Sequence, residues 1–334
     1  MMSALQAQLV EEGEAALVYY APKTTVSLDF TYTVETQERG MYAAFAEAML
    51  GAEQVIPADQ QVYTITDVRI NTATQADLSR PHKVSAEAGI PLLLNINEKG
   101  ILKGYNLPFE EHKPATQPKK NAEDKEQALR VAIPPYSEDV LMAATRLAQA
   151  KAIAKQIFRL RETRTYLLNG EVEHAPADGQ AMKQVLAELD KHERELTELF
   201  VGKKSIRTEH KIVRFDPEEK EPVWFFSKEH GFTEAPAHAD TLRVHVTLHP
   251  QHVQLPGDTK KKKKKGAELS PIVYNLPGTG EIEVSVKGRT LAQRTIPIAQ
   301  IGIDVPLAKD LFTAEQLPVI VFNEKTGNVV SISK

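Results

Sequence analysis

Four histidines crowd into one short stretch, His238, His245, His249 and His252. Neutral imidazole is the commonest protein metal ligand, so their spacing is the first chemistry to weigh. On a strand over 242–249, His245 and His249 share a face but stand about 13 Å apart, too far to hold one ion. His249 and His252 bracket Pro250 and could meet across a turn, yet no Asp or Glu lies close enough in sequence to complete a ligand set. The single tryptophan, Trp224, sits in Val223-Trp224-Phe225-Phe226, where its ring either stacks on a sugar or fills a core. Trp224, His249 and His252 are therefore the surface candidates, with no metal and no cofactor expected.

The familiar catalytic patterns are missing. The chain has no Gly-x-Ser-x-Gly elbow, no His-Glu-x-x-His helix, no Walker loop and no glycine-rich dinucleotide turn between strand and helix. Gly278-Thr279-Gly280 lies at the mouth of a strand, which suits a turn rather than a phosphate cradle. With no cysteine, thiolate nucleophiles, disulfides and Cys-ligated metals are ruled out. No catalytic residue is assigned.

Charge and hydropathy narrow the partners. A net charge of -4 gives no basic field for nucleic acid. The run Lys260 to Lys265 is the exception, and six adjacent like charges read as a solvated, disordered loop over 258–269, with contact to an anionic surface as the functional option. No window approaches the roughly 20 apolar residues of a membrane-spanning helix. Residues 1–8 end in small side chains at Ala4 and Ala7 and read either as the remnant of a signal peptide, cut after Ala7, or as a frayed terminus.

The elements that must position these residues alternate between β and α. In the first block, 9–107, Val26, Leu28, Phe30 and Tyr32 alternate with Ser27, Asp29 and Thr31 as on a half-buried strand. A short helix runs from Met41 to Leu50 and stops at Gly51, and a strand covers Val62 to Ile70. Residues 108–135, rich in proline and charge, form a linker or exposed loop. From 136 to 202 the pattern turns helical. Ser137, Glu138 and Asp139 open a helix that runs to about Leu168, with Leu141, Leu147, Ile153 and Ile157 in its apolar stripe and Asn169-Gly170 as its stop. Asp178 caps a second helix, which carries Val185, Leu186, Leu189, Leu196 and Phe200 and ends at Gly202. A connection this short predicts an antiparallel hairpin. Strands fill 203–257, and 270–334 forms the last β unit.

Two segments are written twice. Val18-Tyr19-Tyr20-Ala21-Pro22-Lys23-Thr24 matches Val273-Tyr274-Asn275-Leu276-Pro277-Gly278-Thr279, and Asn97-Glu98-Lys99-Gly100 matches Asn323-Glu324-Lys325-Thr326-Gly327. Each copy of the turn has apolar flanks, as a β-hairpin does. The expected fold is α+β: two β-sandwich-like units sharing an internal repeat, with a long antiparallel helical hairpin inserted between them.

These openings, together with Arg161-Glu162-x-Arg164-x-x-Leu167-Leu168-x-Gly170, Pro176-x-Asp178-Gly179 and Leu199-Phe200-x-Gly202, resemble the exported Bacteroidetes proteins grouped as domain of unknown function 4831. The resemblance covers nearly the whole chain after about residue 15. It implies a cleaved signal peptide and a periplasmic or secreted location, and it supplies no catalytic residues. The expected function is a non-catalytic envelope or secreted module that binds or assembles with a protein or glycan. The alternative is a hydrolase of envelope or dietary glycan with its site between the β units.

Overall fold

The computed structural model describes residues 16–85, 90–108, 136–171, 179–219, 221–234, 237–252, 269–313 and 315–333. Residues 1–8, 109–135, Asp178 and the Lys260 to Lys265 run lie outside them. In chain order the first half contains β1 (Ala16–Glu38), α1 (Ala46–Leu50), β2 (Gln60–Ser85), β3 (Leu94–Ile96) and β4 (Leu102–Tyr105). The helical part contains α2 (Glu138–Leu141), α3 (Arg146–Asn169) and α4 (Gly179–Val201). After it come β5 (Lys203–Phe215), β6 (Val223–Ser227), β7 (Gly231–Thr233), β8 (Asp240–His249), β9 (Leu269–Val286), β10 (Arg289–Ala308), β11 (Val319–Phe322) and β12 (Val329–Ser333). Strands predominate and the sheets are antiparallel, so the fold is α+β.

The period-two pattern of β1 builds the first sheet, ordered β2-β1-β5. Val26, Leu28 and Phe30 are fully buried while the residues between them face outward, as alternation requires. The strand expected over Val62 to Ile70 extends to Ser85, because β1 is long enough to pair with it from Ala16 to Gln37. The second sheet is ordered β10-β9-β8-β6-β7 and contains the same kind of long hairpin, β9 with β10. A third sheet, β12-β11-β4-β3, joins the two short hairpins edge to edge through β4 and β11.

The two β units are not packed separately. One buried cluster joins Val26, Leu28, Phe30, Val68 and Ile70 of the first sheet to Leu242, Val244, Ile282, Val284, Ile296 and Ile298 of the second. Another joins Tyr19, Val84 and Tyr105 to Ile272, Leu307, Ile320 and Phe322. Each sheet has one strongly apolar face, and these faces cover each other, which is the cheapest way to remove both from water.

The helices correct the sequence reading in one respect. The helix expected from Ser137 to Leu168 is broken at Met142 to Thr145, where Thr145 accepts a hydrogen bond from the Ala148 N–H at 3.2 Å and caps a fresh start. The Ser137 hydroxyl makes no capping bond. Leu141 and Leu147, placed in the apolar stripe from sequence, are 69% and 45% exposed, since the break rotates the first turn away. The buried set is Ala150, Ile153, Ala154 and Ile157 with Leu196 and Phe200 of α4. Ion pairs Arg161–Glu193 at 2.6 Å and Arg164–Asp190 at 3.0 Å join α3 to α4 with opposite chain directions. Being partly exposed, they stabilise weakly.

The helices are fastened to one end of the first sheet. The Tyr42 N–H donates to the Leu199 carbonyl at 2.8 Å, and the Ile56 N–H to that of Val201 at 2.9 Å. Gly202, at φ +91°, then turns α4 directly into β5, with a Cβ there falling 2.5 Å from the Glu38 carbonyl oxygen. Leu196, 1% exposed, is at the centre of this joint. Leu196→Ala is expected to cost about 2–5 kcal/mol, and Leu147→Ala no more than about 0.5 kcal/mol. Urea unfolding of the two variants checks it, and equal losses would mean that the helical core is centred elsewhere.

Candidate functional site

The written-twice segments meet where the two halves join. The Tyr20 N–H donates to the Gly100 carbonyl at 2.9 Å, and Asn275, at the same place in the second copy, donates its N–H to the Gly327 carbonyl at 2.9 Å. Gly100 and Gly327 have φ of +83° and +80°, a region that a Cβ makes costly. A Cβ on Gly327 would lie 2.9 Å from that of Asn275. In each copy the Asn side-chain oxygen of the turn also accepts from the backbone N–H of the Lys two residues on, Asn97 from Lys99 and Asn323 from Lys325, both at 2.9 Å. Each turn thus folds back onto the strand that opens its own half. Pro22 and Pro277, at matching places in the two copies, sit where β1 and β9 lose register with β2 and β10. A residue without an N–H fits there because the ladder is already interrupted.

Ionisable groups gather at this seam that sequence reasoning missed. The buried Tyr19 hydroxyl donates to the Val273 carbonyl and accepts from the Val273 N–H, each at 2.8 Å. Burial drives its pKa well above the usual phenol range. The Tyr19 ring lies 5.1 Å from that of His82, whose Nε2 is 3.6 Å from Asp304, and Arg80 pairs with the same carboxylate. Burial pushes the imidazole below its ordinary range; Asp304 opposes this and Arg80 adds to it. Tyr19, His82 and Asp304, with Ile101, Asn275 and Gly327, line a cavity of about 20 Å³. That is room for about one water. Nearby, Lys23 holds Asp216 at 2.5 Å. Burial raises the Asp216 pKa, but the Lys23 hydrogen bond and the Glu218 N–H outweigh it and leave the carboxyl below its usual range. No signal short of the fold pairs His82 with a residue as distant as Asp304. The seam is built as a lock.

A family described as a domain of unknown function (DUF4831) has a model that matches residues 15–330. The chain belongs to that family. No curated protein and no solved structure matches it.

The larger concavity of this DUF4831 chain lies away from the seam. A groove of about 710 Å³ opens between the free side of β5 and the strands β6 and β7. Its floor is Val213, Trp224, Phe225 and Phe232, and its charged lining is Lys211, Arg214 and Glu234. Trp224 settles between its two sequence readings. It packs edge-on to Phe30 at 6.3 Å and Phe215 at 6.4 Å, so it belongs to the core, while its other side stays open to the groove. His249 and His252 are exposed at the other end of β8. Trp224 is opposite Leu242, about 23 Å along the strand from His249, so the candidates do not form one site. Among the described residues no three His, Cys, Asp or Glu are grouped to hold a metal ion, and no helix is long and apolar enough to cross a membrane.

The seam makes stability depend on pH. Because His82 is lowered in the folded chain, the unfolded chain binds more protons below an unfolded pKa of about 6.5, and stability falls as pH drops through that window. His82→Phe should flatten the melting temperature between pH 7 and pH 5 relative to the parent. A variant that loses stability as steeply would show that His82 is not the titrating group.

Proposed function

We propose that the protein is a non-catalytic binding or assembly module of the cell envelope or the secreted fraction, built as two halves of one β scaffold carrying a helical hairpin, and that its ligand lies in the groove beside β5. The observation that carries this reading is how the carboxylates are distributed over the concavities. The seam cavity rich in ionisable groups takes about one water, whereas the groove of about 710 Å³ beside β5 is aromatic, open and lined by one carboxylate, Glu234. A shallower hollow of about 340 Å³ on the helices does hold several carboxylates, but Glu193 and Asp190 there are held in ion pairs by Arg161 and Arg164. Glycoside hydrolysis ordinarily needs two carboxylates across the scissile bond. That asymmetry favours binding over the glycan hydrolase alternative.

The chain's single tryptophan is a built-in reporter of this groove. Incubation with soluble envelope and plant oligosaccharides is expected to release no reducing ends. Turnover that Glu234→Gln abolishes would overturn the non-catalytic reading. The location rests on the resemblance to exported proteins, taken together with the small residues Ala4 and Ala7. Terminal sequencing of protein from the periplasmic or secreted fraction of the native cell is expected to begin at Gln8, and an intact Met1 in the cytoplasm would refute it.

A further inference from the structure

The two long hairpins carry their third strand on the same side. In the first sheet β1 is flanked by β2 and β5, and in the second β9 is flanked by β10 and β8, antiparallel throughout. Beyond β8 the second sheet continues with β6, whose Val223, Trp224, Phe225 and Phe226 pair with Arg243, Leu242, Thr241 and Asp240. Beyond β5 the first sheet has nothing among the described residues. The position that one half fills with a strand is vacant in the other. All of β5 from Lys203 to Phe215 is paired on its β1 side alone.

The vacant edge has a defined chemistry. Its side facing the groove presents Val213 and Phe215 beside Trp224 and Phe232. On the outer face Ile206 and Ile212 are 69% and 58% exposed. Lys203, Lys204, Arg207, Lys211 and Arg214 set five cations against the single acid Glu209. Arg207 is spent on Glu209 at 2.7 Å and Lys204 on Glu35 at 3.7 Å, whereas Lys203, Lys211 and Arg214 make no ion pair among the described residues. Lysine on an edge strand ordinarily guards against aggregation. Guarding explains the lysines but neither the exposed isoleucines nor the aromatic groove beside them. A second copy would set like charges against like, which destabilises cross-strand pairs.

We propose that β5 is a docking edge for an extended protein segment that alternates apolar and acidic residues and adds to the sheet as the missing strand. Its backbone would satisfy the free ladder groups of β5. Its apolar residues would lie over Trp224 and Phe232, and its acids beside Arg214 and Lys204 on the other face. The inference rests on the binding reading above and gives that ligand its class.

The test uses the full chain and two nine-residue peptides, one alternating Glu with Val and the other Lys with Val. Trp224 fluorescence reports binding, and amide hydrogen exchange reports its place. In the free chain, alternate amides of β5 should exchange fast. The Glu/Val peptide should bind, slow those amides at least about tenfold, and weaken by about tenfold between low and 0.5 M salt, as screened charges do. The exposed reversal Arg214→Glu, on the outer face where the partner's acids would lie, should keep the parent's melting temperature and weaken the Glu/Val peptide relative to the Lys/Val peptide. Equal binding of both peptides, or protection outside 203–215, would overturn the proposal. So would β5 amides already protected in the free chain, since the chain's own residues would then cover the edge. An oligosaccharide that shifts Trp224 fluorescence while neither peptide does would also overturn it and leave the binding reading standing. Silence of Trp224 toward all of them would sink both.

Discussion

A single buried hydroxyl sets how the halves of this protein meet. Tyr19 bonds both backbone groups of Val273, so the strand that opens the first half is pinned to the strand that opens the second. A phenol that both donates and accepts on one residue fixes position as well as distance. An unpaired hydroxyl in that place would carry a desolvation cost of about 1–3 kcal/mol. Around it, Asn275 donates its side-chain amide to the Ala299 and Thr326 carbonyls, and Asn97 reaches Glu324 in the other turn. The third sheet, with β4 paired to β11, is the direct result, because the two short hairpins are brought side by side where each turn closes on its own opening strand.

From that joint follows the asymmetry of the molecule. The helices enter between β4 and β5, and Gly202 delivers the chain from α4 straight into β5 opposite Glu38. In the second half the strand in the matching place, β8, comes before its hairpin and arrives after β6 and β7 have been laid down. The same sheet position is therefore filled by different parts of the chain, and only one route brings extra strands to cover the edge. The uncovered edge is a consequence of connectivity, and the chemistry along it belongs to the sequence.

Much of this was legible from residues. Alternation from Val26 to Tyr32 placed the buried face of β1 because the period of a strand is strictly two. Asn169-Gly170 stopped α3, and Gly170 takes the left-handed conformation such a stop needs. The repeated Asn-Glu-Lys turns mark hairpin tips in one sheet. What stayed hidden depends on distance in the chain. Nothing near His82 or Arg80 announces Asp304, and nothing in the β5 sequence says whether a strand will lie beside it. The break at Met142 to Thr145 leaves no mark in the sequence because it contains neither glycine nor proline, and a threonine cap is indistinguishable by composition from a threonine inside a helix. Trp224 was ambiguous for a physical reason: it lies on a boundary, with one side in the core and one in the groove.

The division of labour along β5 follows from magnitudes. Exposed charges contribute at most about 1 kcal/mol per pair and fade with salt, so the cations of this strand cannot by themselves hold a partner tightly. Backbone ladder bonds are equally indifferent to sequence, since every extended chain offers the same donors and acceptors. Selection must come from the combination. Charge decides which strands approach, alternation decides which face meets Trp224 and Phe232, and a register slip of one residue would turn the partner's acids onto that aromatic floor. An edge that merely repels would need only the lysines. An edge that selects needs the apolar groove as well, and β5 has both.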